Sequence, residues 1–164
     1  MRKPRTFVLL LIVVGLVAAG IAATAGATPP TSASGTIANT SATFNSVRPA
    51  NGNLIVELDG AAAYTGTFTG TSTFHGILVI HPDGSANFHD VETFTGMVNG
   101  VSGTVTFHLS GHNDSNLVVH ETRTVTGATG TLEGLHGVLH EVGTVVFPNG
   151  PVTNYNGEIE FAGA

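Results

Sequence analysis

The chain has 164 residues, no cysteine and no tryptophan, 22 glycines, and 11 acidic residues against 5 basic ones. Without cysteine there is no disulfide framework, no thiolate chemistry and no lipid-modified cysteine. Arg2, Lys3 and Arg5 take three of the basic positions, so the rest of the chain holds only Arg48 and Arg123 and no lysine. That excludes nucleic acid and anionic membrane surfaces as partners, because both are held through basic patches.

The first element is a targeting segment. The three basic residues precede an uncharged apolar run from Phe7 to about Ala23, and Ala25-Gly26-Ala27 offers small residues for cleavage before Thr28. This pattern predicts a signal peptide over 1–27 and a protein working outside the cytoplasm, secreted or in the cell envelope. The same run is long enough to stay as an uncleaved anchor, which needs roughly 20 apolar residues. Residues 28–35, polar with Pro29 and Pro30, are expected as a linker, and 36–164 as a single domain.

That domain reads as all-β. Strands are expected at Ile37–Phe44 and Leu54–Leu58, followed by a long alternation. Its even positions from Tyr64 to Ile80 carry Phe68, Phe74 and Leu78; its odd positions carry threonines, His75 and His81. A period of two puts successive side chains on opposite faces, so the even set is the apolar face. Pro82-Asp83-Gly84 predicts a three-residue hairpin turn with Gly84 left-handed, setting 78 opposite 88 and 74 opposite 92. Asn99-Gly100 predicts a two-residue turn setting 94 opposite 105, 92 opposite 107 and 91 opposite 108. Both registers put Phe88, Phe94, Val105, Phe107 and Leu109 on one face. Further strands at Leu117–Val125, Leu139–Phe147 and Tyr155–Phe161 bring the number to about eight. Antiparallel strands with one apolar face bury it by closing or by packing as a sandwich, and closure also removes exposed edges. The expected fold is a closed antiparallel β-barrel.

Glu92-Thr93-Phe94-Thr95-Gly96, with Gly100, Ser102-Gly103-Thr104 and Ser110-Gly111, resembles a bacterial family of small domains of unknown function with allene oxide cyclase-like barrels. Gly127-Ala128-Thr129-Gly130-Thr131-Leu132-Glu133-Gly134-Leu135-His136-Gly137 is similar to a glycine-rich stretch of plant allene oxide cyclases and dirigent proteins. The resemblance implies an eight-stranded barrel with an interior sized for a small molecule. It carries over no active site, and Ala128 and Leu132 depart from the plant pattern.

Two constellations could carry chemistry. On the apolar face, Asp90 and Glu92 stand between Phe88 and Phe94, and Glu121 and Arg123 between Val119 and Val125. A register with 107 opposite 121 would bring Glu92 toward Glu121 and Arg123 across one strand. A structural ion pair is one reading; an anchor for a ligand's polar group, or a carboxylate tuned for proton transfer, is the other. Phe74, Phe88, Asp90, Glu92, Phe94, Phe107, Glu121 and Arg123 are therefore the candidate ligand-binding set, and Glu92 and Arg123 the candidate catalytic pair. On the opposite face, His75, His89 and His108 gather around Val91, with His120 expected opposite His108. They form a solvated histidine surface or a weak metal site, without a diagnostic ligand spacing. No cofactor is implied.

The function these features fit is an exported β-barrel that binds a small, largely apolar molecule inside. The alternatives are an isomerase or cyclase acting on a hydrophobic substrate, and a structural or interaction protein of the envelope.

Overall fold

The computed structural model describes residues 29–162; the stretch expected as a signal peptide, 1–27, lies outside them. Eight strands follow one another: β1 (Thr31–Ala50), β2 (Asn53–Gly66), β3 (Phe68–Ile80), β4 (Ala86–Val98), β5 (Val101–Asn113), β6 (Val118–Gly130), β7 (Leu135–Val146) and β8 (Gly150–Phe161). All neighbours are antiparallel and in sequence order. β1 begins at Thr31, inside the stretch expected as a linker, and residues 31–35 are paired with β8.

Both hairpin turns take the expected registers. Ile80 pairs with Ala86 and Leu78 with Phe88, while the His81 amide donates to the Ser85 carbonyl over 2.8 Å. Val98 pairs with Val101, with Asn99 and Gly100 at φ +50° and +82°, the doubly left-handed turn that matches strand twist.

The β5–β6 connection differs. Pairing continues to Asn113 opposite Val119, so 109 faces 123 and 111 faces 121, not 107 facing 121. Asp114 makes the loop compact: its Oδ1 accepts from the Asn116 and Val118 amides at 2.9 Å each. Leu117, expected in the strand, is instead a turn residue at φ +65°. Relative to the expected register the turn lies two residues later along both strands, an even shift, so Glu121 and Arg123 keep the inner face. A bulge at Thr106/Phe107 then absorbs one residue.

The expected closed barrel needs correcting. The hydrogen-bonded order comes round from β8 to β1, but only Thr31–Ala38 pairs with Val152–Ile159. Beyond Ala38, β1 continues to Ala50 with β2 on one side and no strand on the other. The reason is length and chemistry at the start of β8. That strand begins at Gly150, and Pro151 has no N–H to give to a ladder. The architecture is an eight-stranded antiparallel sheet whose ring closes through β1 and β8 at one end, the closed end, and lacks that one ladder at the other, the splayed end, so closure does not run the full length of β1.

The closed end is packed solid. Tyr64, Phe68, Phe94 and Phe107 meet with ring centroids 5.0–6.5 Å apart, and Leu135, Leu139, Tyr155 and Ile159 complete the cluster. The β6–β7 turn sends Leu132 inward as a plug, fully buried. A Cβ at Gly103 would stand 2.8 Å from the Leu132 Cγ, so the glycine makes room for it.

Candidate functional site

Strand parity carries the polar cluster inward. Glu121 and Arg123 are two apart on β6, Glu92 lies on β4, and Glu141 faces Glu121 from β7. Arg123 is the hub. Its Nε donates to Glu141 Oε1 at 2.6 Å and its Nη2 to Glu121 Oε1 at 2.6 Å. Its Nη1 donates to Glu92 Oε2 and to the Tyr64 hydroxyl. Tyr64 donates to Glu92 Oε1 at 2.6 Å, and Thr153 donates to Glu141 Oε2 at 2.6 Å. The guanidinium carbon lies 5.5 Å from the Tyr64 ring centroid and 5.7 Å from that of Phe107. Arg123 thus sits between the aromatic packing of the closed end and the space beyond it.

That space is a cavity of about 330 Å³ at the splayed end. Phe74, Leu78, Phe88, Leu109, Val119 and Val145 wall it, and Asp90, Glu92, Glu121 and Arg123 form its polar floor. Phe44 and Phe147, 58% and 76% exposed, also line it and form an apolar lip. The room arises from glycines on neighbouring strands. A Cβ at Gly60 would collide with the Phe74 ring, one at Gly76 with the Asp90 carboxylate, and one at Gly111 with the Phe88 ring. Each glycine lets a side chain of the next strand lie flat against the wall.

Counting Glu141 behind the floor, four carboxyls stand against one guanidinium. Burial pushes Glu121 up to about 8, despite Arg123 beside it. Burial, reinforced by the charge of Glu92, pushes Asp90 up to about 6. Burial likewise drives the Tyr64 hydroxyl well above its ordinary value. For Arg123 burial alone would favour loss of the proton, but Glu92, Tyr64, Glu141 and Glu121 outweigh it and hold the guanidinium charged. Asp90 Oδ1 is buried over Gly76 without a hydrogen-bond partner.

Of the candidate ligand-binding residues, Phe74, Phe88, Asp90, Glu92, Glu121 and Arg123 line the cavity. Phe94 and Phe107 do not: both are fully buried in the packed end. The candidate catalytic pair is in direct contact, with both Glu92 oxygens engaged, which gives Glu92 the geometry of a held counter-ion. Sequence reasoning left Glu141 out. The parity of Leu139, inward and fully buried, puts Glu141 inward too, so the signal was present in the alternation of β7. Tyr64 was placed on the apolar face, but its part as the cluster's hydroxyl follows only from the fold.

The histidines lie outside. His75 and His108 flank Val91 on either side, as the two turns require, and His89 sits between Ile77 and Ser110. His120 is opposite His112, not His108, with ring centroids 5.4 Å apart, because the β5–β6 turn lies two residues later. His75 is taken up by acids: its Nδ1 lies 2.8 Å from Asp59 Oδ1 and its Nε2 3.6 Å from Glu57 Oε1. The hydrogen bond to Asp59 raises the His75 pKa, while the Asn45 amide and His75 lower that of Asp59. Among the described residues no three histidine or acidic side chains converge as metal ligands would, and no helix is long and apolar enough to cross a membrane.

The model of a family described as protein of unknown function (DUF3224) matches residues 31–145, a span that contains Glu92, Glu121, Arg123 and Glu141. Among solved structures, the chain is similar to a crystal structure of a protein of unknown function from the DUF3224 family of Shewanella oneidensis MR-1. The identity is 18% and the TM-score 0.61, over 82% of this chain and 99% of that one. At this identity the likeness is one of fold. Comparison with the curated proteins gave no match. The resemblance to allene oxide cyclases and dirigent proteins gains no support from these matches and is set aside. Its glycine-rich stretch has a local explanation in the β6–β7 turn, where Gly130 and Gly134 at φ +70° and +83° bracket the inserted Leu132.

Proposed function

The chain belongs to the DUF3224 family of proteins of unknown function, and on that footing we propose that it is a binding protein for a small, largely apolar molecule held at the splayed end. The observation that carries this reading is the division of the interior. One end is filled with aromatic rings, while the other keeps a cavity of about 330 Å³ with apolar walls and a polar floor. A pocket of a few hundred Å³ with few, convergent polar groups is the usual form of a small-molecule site. The charged, then apolar, then small-residue pattern of residues 1–27 supports a place of work outside the cytoplasm.

The test is occupancy of the cavity. An apolar fluorophore such as N-phenyl-1-naphthylamine is expected to brighten with the wild-type protein. The response should fall at least tenfold in Leu109→Trp or Val119→Trp, where an indole fills the cavity from its wall. Undiminished fluorescence in both folded variants would overturn the reading.

A further inference from the structure

We infer that the polar floor of the cavity selects a ligand with a cationic, hydrogen-bond-donating head, a primary amine on an apolar body, and rejects a carboxylate. This deepens the binding reading and rests on it. The argument begins with Arg123, the group a carboxylate would need. Four of its five N–H bonds are already given to Glu141, Glu121, Glu92 and Tyr64. An entering carboxylate finds one N–H left among surrounding acids, and a two-pronged grip would have to displace a buried acceptor and leave it unpaired, a cost well above what a new contact returns. Among the described residues the one other arginine, Arg48, is exposed on β1. The floor therefore offers mainly acceptors, and its other donors are carboxyl protons that a cation can displace.

The acceptors themselves are short of positive charge. Asp90, Glu92, Glu121 and Glu141 share one guanidinium, and Asp90 lines the cavity with a buried, unpartnered oxygen. An ammonium presents three donors and one positive charge, and so supplies what the floor lacks. Its apolar body would lie along Phe74, Leu78, Phe88 and Leu109.

Entry of a cation should also expel protons. The charges around Asp90 are Glu92 and Arg123 on the inner face, with His75 and His89 acting through the sheet; those around Glu121 are Arg123, Glu141, Glu92 and Asp90. With burial the largest influence on both, Asp90 and Glu121 hold protons that an ammonium would displace.

Octylamine, 1-octanol and octanoate share one chain and differ in the head. Displacement of N-phenyl-1-naphthylamine and titration calorimetry are read for each between pH 5 and 8. Octylamine is expected to bind at least tenfold tighter than octanoate, with affinity rising with pH and protons released to buffer. Asp90→Asn and Glu121→Gln should each weaken octylamine severalfold more than octanol, so either folded variant suffices. Octanoate binding as tightly as octylamine, or the same loss for amine and alcohol in both variants, would overturn the head-group inference while the cavity reading stands. Failure of the fluorophore to bind the wild-type protein would instead remove the binding reading itself.

Discussion

Arg123 shows how a single residue divides the interior. Its guanidinium is buried with three glutamates, and burying ions is repaid only where partners and geometry are complete. Removing the cation while leaving the glutamates should therefore be costly. Arg123→Leu is expected to lower the unfolding free energy by about 3–5 kcal/mol, read from urea denaturation at neutral pH. The pH dependence follows from the same cluster. Asp90 and Glu121 are raised from ordinary values of 3.8 and 4.5 to about 6 and about 8. Between each pair of values the folded protein binds more protons than the unfolded chain, so stability declines as pH rises and levels off above the folded value. Asp59, Asp83 and Asp114 are lowered, mainly by hydrogen bonds, and work the other way, losing their contribution as pH falls below the ordinary range. Stability should peak in mild acid. Glu121→Gln should flatten the decline between about pH 6 and 8, measured as denaturation midpoints across pH.

At the scale of elements, turns decide which side chains meet. The Asn99-Gly100 turn needs both residues left-handed, and Gly100 at φ +82° has open space where a Cβ would go. Gly100→Ala therefore tests backbone strain without a clash, and should cost about 1 kcal/mol with the fold retained. The β5–β6 loop is held by the Asp114 carboxylate, so Asp114→Ala should destabilise by about 1–2 kcal/mol and broaden the amide resonances of Asn116 to Val118. This loop also shows the reach of sequence reading. Type and parity of β6 were legible in the alternation Val119, Glu121, Arg123, Val125, but its register was not. Register there depends on Leu117 adopting a conformation that leucine seldom takes, stabilised by an aspartate three residues before it.

For the whole molecule, partial closure has a kinetic consequence. The amides of Gly35–Ala38 lie between β2 and β8, whereas β1 from Asn39 to Ala50 has β2 alone. Backbone groups without a second strand open more readily. Hydrogen exchange should thus be markedly faster at alternate amides of Asn39–Ala50 than over Gly35–Ala38. Equal protection along β1 would mean that a further partner covers the edge. The splayed end is also where Phe44 and Phe147 stand exposed beside the cavity, so the less protected part of the sheet is the part that guards entry.

The sequence by itself determined the all-β class, the two hairpins β3–β4 and β4–β5, and which faces are apolar. Those features rest on local chemistry: a period of two, and glycine or asparagine where a turn needs positive φ. From them alone followed the inward placement of Glu92, Glu121 and Arg123 and the outward row of His75, Val91 and His108. Only the tertiary structure decided where the ring of strands stops closing, that Glu141 and Tyr64 complete the cluster, and that Phe94 and Phe107 fill one end while Phe74 and Phe88 border an open space at the other. Those outcomes depend on the relative lengths of β1 and β8, on Pro151 ending the ladder, and on glycines opposite bulky side chains of adjacent strands. Each is a relation between residues far apart in the chain, so no short window of sequence contains it.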